Sequence, residues 1–302
     1  MNDEIAWSRH LTASDIEAVD ALLGRVSATD GLSAMSEHTY LYLLAGGGHG
    51  DRHALVRDDD RVVGYAQITD DDPPLAELLI DPDDRGRGLG AALLASVMSE
   101  AGPKVTIWAH GDLPAARALA RRAGLVPLRR LCRYSRPLTA VPDVALPGGM
   151  TLRAFTPDDA EQWLALNAEA FADLPDQGSW SMADLKRRLD QPWFDPQGFL
   201  VAVDDRGLAG FHWTKQHVEE GAEEPVGEVY VLAVADRARG TGLASALTLA
   251  GLEHLRDTGC SSVMLFVDSD NEAAVRLYTR LGFTRGVCDV LYGSEQDATD
   301  SP

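Results

Sequence analysis

Apolar positions along the second half of the chain change period in a fixed order. Phe199–Val203 and Gly210–His217 are short runs rich in β-branched and aromatic residues, and Glu228–Val234 is an almost unbroken apolar run. Runs of this length between polar turns predict strands. Leu243–Asp257 then switches to helical spacing, Ser262–Val267 returns to strand, Asn271–Leu281 reads as a helix and Val287–Tyr292 as a closing strand. Strands and helices alternating in this way predict an α/β fold. Ser294–Pro302 is polar and expected to fray.

The first half repeats the pattern. Leu78-Leu79-Ile80-Asp81-Pro82 leads into Arg85-Gly86-Arg87-Gly88-Leu89-Gly90, and Leu232-Ala233-Val234-Ala235-Asp236 leads into Arg239-Gly240-Thr241-Gly242-Leu243-Ala244, 154 residues later. Ala115–Leu119 and Ala123-Gly124-Leu125 are echoed by Ala273–Leu277 and Leu281-Gly282-Phe283 at an offset of 158. Each half opens on a helix-start signal. Ser14-Asp15-Ile16-Glu17 reads as a capping box, and Thr156-Pro157-Asp158-Asp159 as an N-cap followed by proline and two acids. Arg136–Gly149, with three prolines and two glycines, reads as the linker. The expected division is a first domain over 1–138, a linker over 139–150, a second domain over 151–293 and a tail over 294–302.

Composition narrows the partners. A chain of 302 residues suits two domains, and a formal charge of −20 repels nucleic acid and anionic membrane while favouring a cationic small molecule. No apolar run reaches the length of a membrane span, and Met1–Ala13 lacks the apolar stretch of a signal peptide. A cytoplasmic monomer without a metal is expected. Cys132, Cys260 and Cys288 form no disulfide framework or C-x-x-C motif, so each reads as a small buried hydrophobe. His49 and His53 read as solvated residues of the Gly46–Gly50 loop.

The two glycine turns carry the strongest chemical signal. A strand-to-helix turn offers backbone N–H groups and the positive end of a helix dipole, and glycine lets an anion approach. Arg85 and Arg239 add charge, so a pyrophosphate fits. Gly86–Ala91 also matches G-x-G-x-x-A, but it follows several strands instead of opening the domain, and no acid stands on a second strand beyond it. Neither turn contains the Gly-Lys-Ser/Thr of a Walker loop. Two copies in one strand–helix context weigh against turns that are merely tight.

Strand, R-G-x-G-L-G/A, long helix and then Asn271-x-x-Ala274-x-x-x-Tyr278-x-x-x-Gly282-Phe283 resemble the GNAT acetyltransferase superfamily. The resemblance covers most of both halves. It implies two tandem GNAT domains, each a mixed, mostly antiparallel twisted sheet flanked by helices. It also implies acetyl-CoA as co-substrate, with the pantetheine arm along one strand and the pyrophosphate on the turn. The implied cofactor contacts are Leu78, Leu79, Ile80, Arg85, Gly86, Arg87, Gly88, Leu89, Gly90 and Ala91 in the first half. In the second they are Leu232, Ala233, Val234, Arg239, Gly240, Thr241, Gly242, Leu243, Ala244, Ser245 and Asn271. The tandem length and Gly227–Val234 are similar to the mycothiol synthases, a branch that acetylates the cysteinyl amine of a cysteine–glucosamine–inositol conjugate.

Amine acetylation needs a base for the ammonium, a polarised carbonyl and a proton for the departing thiolate. Glu228, four residues before Leu232, is the candidate base and Tyr278 the candidate acid, with the backbone N–H of Val234 as polariser. The offsets place Pro74, Ala120 and Leu113 where the second half has Glu228, Tyr278 and Asn271, so the first half is expected to bind acetyl-CoA without catalysis. Glu77 aligns with Val231 and is expected on the other side of its strand. The resemblance further implies Glu37, Asp176, Lys215, Glu228 and Tyr278 as contacts of a small polar amine in a groove between the domains. Another small amine, a protein N-terminus, or a catalytically silent CoA sensor are the competing readings.

Overall fold

The alternating apolar runs fold as strands whose two faces are covered by helices. A computed structural model describes residues 5–44, 50–143, 145–172, 174–217 and 224–295, apart from the side chains of Pro175 and Asp176. The order is β1 Trp7–Ser8, α1 Ala13–Asp30, α2 Glu37–Leu44, β2 Arg52–Asp58, β3 Arg61–Ile68, β4 Leu75–Ile80, α3 Leu89–Ala101, β5 Thr106–Ala109, α4 Pro114–Arg122 and β6 Val126–Pro137. It continues with β7 Thr151–Ala154, α5 Ala160–Ala170, α6 Pro175–Gly178, α7 Met182–Leu189, β8 Phe199–Asp204, β9 Gly207–His217, β10 Val226–Val234, α8 Leu243–Asp257, β11 Ser262–Asp268, α9 Glu272–Arg280 and β12 Thr284–Gly293.

The chain divides into two compact units, Met1–Leu131 with Asp268–Asp270 and Val287–Pro302, and Cys132–Val267 with Asn271–Gly286. In the first unit the strand order is β1-β2-β3-β4-β5-β12. Neighbours are antiparallel except β4–β5, and β12 joins through Val290, Leu291 and Tyr292 against β5. In the second unit β7-β8-β9-β10 are antiparallel and β10–β11 is parallel.

Packing follows strand alternation. On one face of the first unit's sheet, Val19, Leu22 and Val26 of α1 pack on Val62, Tyr65 and Leu79. On the other, Leu93, Leu94 and Val97 of α3 pack on Ala66, Ile68 and Ile107. The second unit repeats this with Trp163 and Leu166 of α5 on Phe199, Phe211 and Trp213, and with Leu243 and Leu247 of α8 on Ala209, Leu232 and Val234. Each such large side chain, removed from water, contributes roughly 1.5–3 kcal/mol.

Local signals were partly displaced. The first helix is capped by Thr12, not Ser14: Thr12 Oγ1 accepts the Asp15 N–H at 3.1 Å and Asp15 Oδ2 accepts the Thr12 N–H at 3.0 Å. Thr156 caps as expected, with Asp159 returning the bond to its N–H at 2.8 Å. Arg136 and Pro137 belong to β6, so the irregular stretch begins after them. His53 is no loop residue. It is fully buried on β2, its Nδ1 2.7 Å from the Tyr65 hydroxyl, and burial lowers its pKa to about 4. His49 and Gly46–Gly48 lie outside the described residues. Cys132 and Cys288 are disulfide-bonded, and only Cys260 is a free, buried thiol. The reading of all three as plain hydrophobes therefore holds for Cys260 alone.

Candidate active site

The site in the second unit is built around β10. Its parallel pairing with β11 is confined to Val226↔Ser262, Gly227↔Val263 and Glu228↔Met264. Beyond Glu228 the two strands part, so the backbone of Leu232, Ala233 and Val234 has no strand partner on that side. On the other side, the pairing with β9 slips between Val229 and Val231, leaving Tyr230 as an extra residue. A bulge of this kind re-aims side chains and is common beside active sites.

The turn after β10 is shaped to admit an anion. Gly240 and Gly242 have φ of 76° and 92°, in the left-handed region that favours glycine. A Cβ added at either would meet nothing within 4 Å. Gly242 caps α8 without a side-chain hydrogen bond, and the first turn of α8 contains Leu243, Ala244 and Ser245. Thr241 turns its hydroxyl onto the Ala238 carbonyl at 2.7 Å. Arg239 is largely exposed and pairs with Asp236 at 2.9 Å. Open glycines, free strand backbone and an exposed arginine fit the pyrophosphate and pantetheine of an acyl-CoA.

Glu228 is 8% exposed and opposes Lys215, itself 9% exposed, in the β9–β10 ladder. Its Oε2 lies 2.6 Å from Nε2 of His217, two residues further along β9. Lys215 Nζ sits 4.5 Å from the centroid of Trp193 and 5.2 Å from that of Tyr230. Tyr230 in turn accepts a hydrogen bond from Nε of the buried Arg188 at 2.9 Å, and the Arg188 guanidinium stacks 3.6 Å over Trp180. The structure thus gathers Glu228 and Lys215 and adds His217, Tyr230, Arg188 and two tryptophans that sequence reasoning passed over. The available signal was the alternation Trp213-x-Lys215-x-His217, which puts these side chains on one strand face.

Tyr278 comes from a different element. It is buried on α9, its ring 5.6 Å from Phe283 in an edge-on contact, and burial pushes its phenol well above the usual range. It therefore keeps its proton at neutral pH. Asn271 caps α9, its Oδ1 accepting the Ala274 N–H at 3.0 Å. Glu37 lies in the first turn of α2, in the first unit. The backbone of Asp176 is placed in α6, and its side chain lies outside the described residues.

The first unit keeps the turn but surrounds it differently. Gly86 and Gly88 have φ of 78° and 86°, with open space where a Cβ would be, and β4 parts from β5 after Ala76. Leu78, Leu79 and Ile80 follow that point, and Leu89, Gly90 and Ala91 open α3. Its arginines are already engaged: Arg85 meets both oxygens of Asp30 at 2.8 Å, and Arg87 is paired with Asp58 and Asp84. No bulge interrupts β3–β4, and Gln67 opposes Glu77.

Glu77 lies inside the protein. It is 1% exposed, accepts hydrogen bonds from the Ser36 and Thr39 hydroxyls at 2.6 and 2.7 Å, and lies 3.0 Å from His110 Nε2. His110 Nδ1 is 3.2 Å from Asp289. Burial opposes the charge on His110, but the carboxylates of Glu77 and Asp289 outweigh it and raise its pKa to about 10. Burial likewise opposes the Glu77 charge, and the imidazolium outweighs it, so its carboxyl stays below the usual range.

Among the described residues no cluster of three or more His, Cys, Asp or Glu could hold a metal ion, and no helix is long and apolar enough to cross a membrane. The model of the acetyltransferase (GNAT) family matches residues 26–125 and 160–283. The chain belongs to that family, as a tandem of two GNAT domains. It is 53% identical over 284 residues to a mycothiol acetyltransferase of Thermobispora bispora, covering 93% of this chain and 96% of the relative. Against the mycothiol acetyltransferase of Rhodococcus jostii it is 45% identical, covering 95% and 97%. Within the GNAT family the chain therefore groups with the mycothiol acetyltransferases. A tandem GNAT protein from the clavulanic acid biosynthesis pathway shares the fold with a TM-score of 0.71 at 21% identity, covering 96% of this chain and 98% of that one. A GCN5-related N-acetyltransferase from Sphaerobacter thermophilus does so with a TM-score of 0.67 at 23% identity, covering 97% and 96%.

Proposed function

We propose that this chain transfers acetyl from acetyl-CoA to the cysteinyl amine of a cysteine–glucosamine–inositol conjugate, the closing step of mycothiol synthesis. The observation that carries the chemistry is Glu228, a buried carboxylate at the point where β10 and β11 part. Acetyl-CoA supplies the activated thioester. Arg239 and the Gly240–Gly242 turn bind its pyrophosphate, with Asn271 as a further contact, and the β10 backbone at Leu232–Val234 aligns its arm. Glu228 takes the ammonium proton directly or through one water, and the Val234 N–H polarises the carbonyl. Tyr278 gives its proton to the departing sulfur. Lys215, Asp176 and Glu37 bind the acceptor's polar groups.

The first unit, in this reading, holds acetyl-CoA on Arg85–Ala91 without turning it over, since Pro74 and Ala120 stand at the offsets of Glu228 and Tyr278, where a base and an acid are needed. The enzyme works as a cytoplasmic monomer on a small polar amine. Mass spectrometry with acetyl-CoA and a panel of amines tests this. A single acetyl on the cysteinyl nitrogen of the conjugate is the expected product. Faster acetylation of an unrelated amine or of a peptide N-terminus overturns the substrate assignment, and no transfer at all leaves the CoA-sensing alternative.

A further inference from the structure

The shortest contact made by Glu228 is with a residue that the catalytic assignment does not use. Nε2 of His217 lies 2.6 Å from Glu228 Oε2, at the short edge of a charge-assisted N–H···O bond, whose usual length is about 2.7–2.9 Å. The His217 side chain is 32% exposed and the Glu228 side chain 11%, so the pair joins the buried base to solvent. At this separation one proton must lie between the two atoms. With Glu228 ionised, that proton is on the imidazole.

We propose that His217 is a positioning residue for the base: its Nε2–H holds Oε2 of Glu228 and presents Oε1 to the acceptor ammonium. This rests on the reading of Glu228 as the base. The ammonium proton moves to Oε1 and the nitrogen keeps the electron pair that attacks the thioester. The Nε2–H stays on the ring throughout, and the carboxylic acid returns its proton to water once the product has left. Among the described residues, the other ionisable groups on the strands that carry the pair and next to them can be named. Lys215 lies on β9 itself, and Tyr230, held by Arg188 of α7, lies on β10. Glu224 precedes β10, and the stretch of β11 paired with β10, Ser262–Met264, brings no ionisable side chain.

The test compares pH profiles of kcat and kcat/KM for wild type, His217→Gln, His217→Ala and Glu228→Gln, with acetyl-CoA and the cysteinyl conjugate. His217→Gln retains an N–H for Oε2 and should keep kcat and KM within about twofold of wild type. His217→Ala should lose about tenfold or more in kcat, the scale of a lost hydrogen bond to a charged group, and regain part of it with added imidazole. Profiles for both His217 variants that superimpose on wild type, beside a crippled Glu228→Gln, overturn the His217 assignment and leave the base standing. A Glu228→Gln enzyme as fast as wild type overturns the base itself. Should the His217 variants not fold, proton NMR of wild type decides. A strongly downfield ring N–H resonance that vanishes in Glu228→Gln is expected, and its absence at every pH overturns the proposal.

Discussion

The two units carry the same glycine turn, yet their surroundings have diverged in opposite electrostatic senses. In the second, Arg239 is an exposed cation facing one exposed acid, and the strand before it is bulged, with Glu228, Lys215 and His217 gathered beside it. In the first, Arg85 and Arg87 are held by Asp30, Asp58 and Asp84, the strand is regular, and its one carboxylate, Glu77, is locked to His110. A turn that fits an anion is a property of backbone conformation and survives in both. Chemistry requires a buried charge held where it can meet a substrate, and in the first unit the buried Glu77 on the corresponding strand is paired with His110.

The largest expected effect breaks that comparison at its centre. Glu228→Gln should lower kcat by about 10³-fold near neutral pH, within the range for a general base, and recover partly at high pH, where the amine is free without help. A carboxylate that only binds the ammonium would raise KM and leave kcat intact, so the pH profiles of both parameters decide. Tyr278→Phe comes next, with a loss of about 10²-fold in turnover and unchanged acetyl-CoA affinity. Phenylalanine fills the same space against Phe283, so a purely packing role predicts no loss of rate.

Charge reversal at the two turns sharpens the comparison. Arg239→Glu should weaken acetyl-CoA at the second site by about tenfold or more, as expected for losing a charge-assisted phosphate contact. Calorimetry should still find the first site occupied. Arg85→Glu should weaken the first site less, because its guanidinium is already committed to Asp30. Equal losses at the two sites would remove the electrostatic distinction drawn above.

The smallest effect on catalysis belongs to His110→Gln, which should leave turnover unchanged and lower stability at pH 7 by about 3 kcal/mol, the range for breaking a buried ion pair. The wild-type pH dependence has a definite sign. His110 titrates in the folded state at about 10, above the ordinary histidine value near 6.5, so it binds a proton more tightly folded than unfolded. Its stabilisation is complete below about 6.5 and lost as pH rises through about 10. Thermal melts between those limits should fall for wild type and flatten for His110→Gln.

Much of the site was legible because its parts are local. Arg239–Ala244 sits within one turn, and Glu228 is a fixed number of residues upstream. The partners of Glu228 were not legible, because His217 reaches it only across a hairpin whose connecting residues 218–223 carry no pattern. The bulge also changes the correspondence between the halves. A constant offset opposes Glu228 to Pro74, whereas ladder pairing through the extra Tyr230 opposes it to Leu75. Neither Pro74 nor Leu75 ionises, so both alignments put a non-ionising side chain opposite Glu228.

What the sequence determined by itself is whatever depends on a few neighbouring residues: the order of strands and helices, the repeat, the glycine turns with positive φ, and the presence of a carboxylate and a phenol in only one half. What only the tertiary structure decided is which distant segments pair. It placed Val287–Gly293 with the first unit and brought Asp289 to His110. It seated His53 inside a sheet and bonded Cys132 and Cys288 as cystines. The physical reason is that hydrophobic period and turn chemistry act over a few residues. Strand partners, bulges and buried ion pairs are instead chosen by hydrogen bonds and desolvation between segments far apart in the chain, which no local pattern encodes.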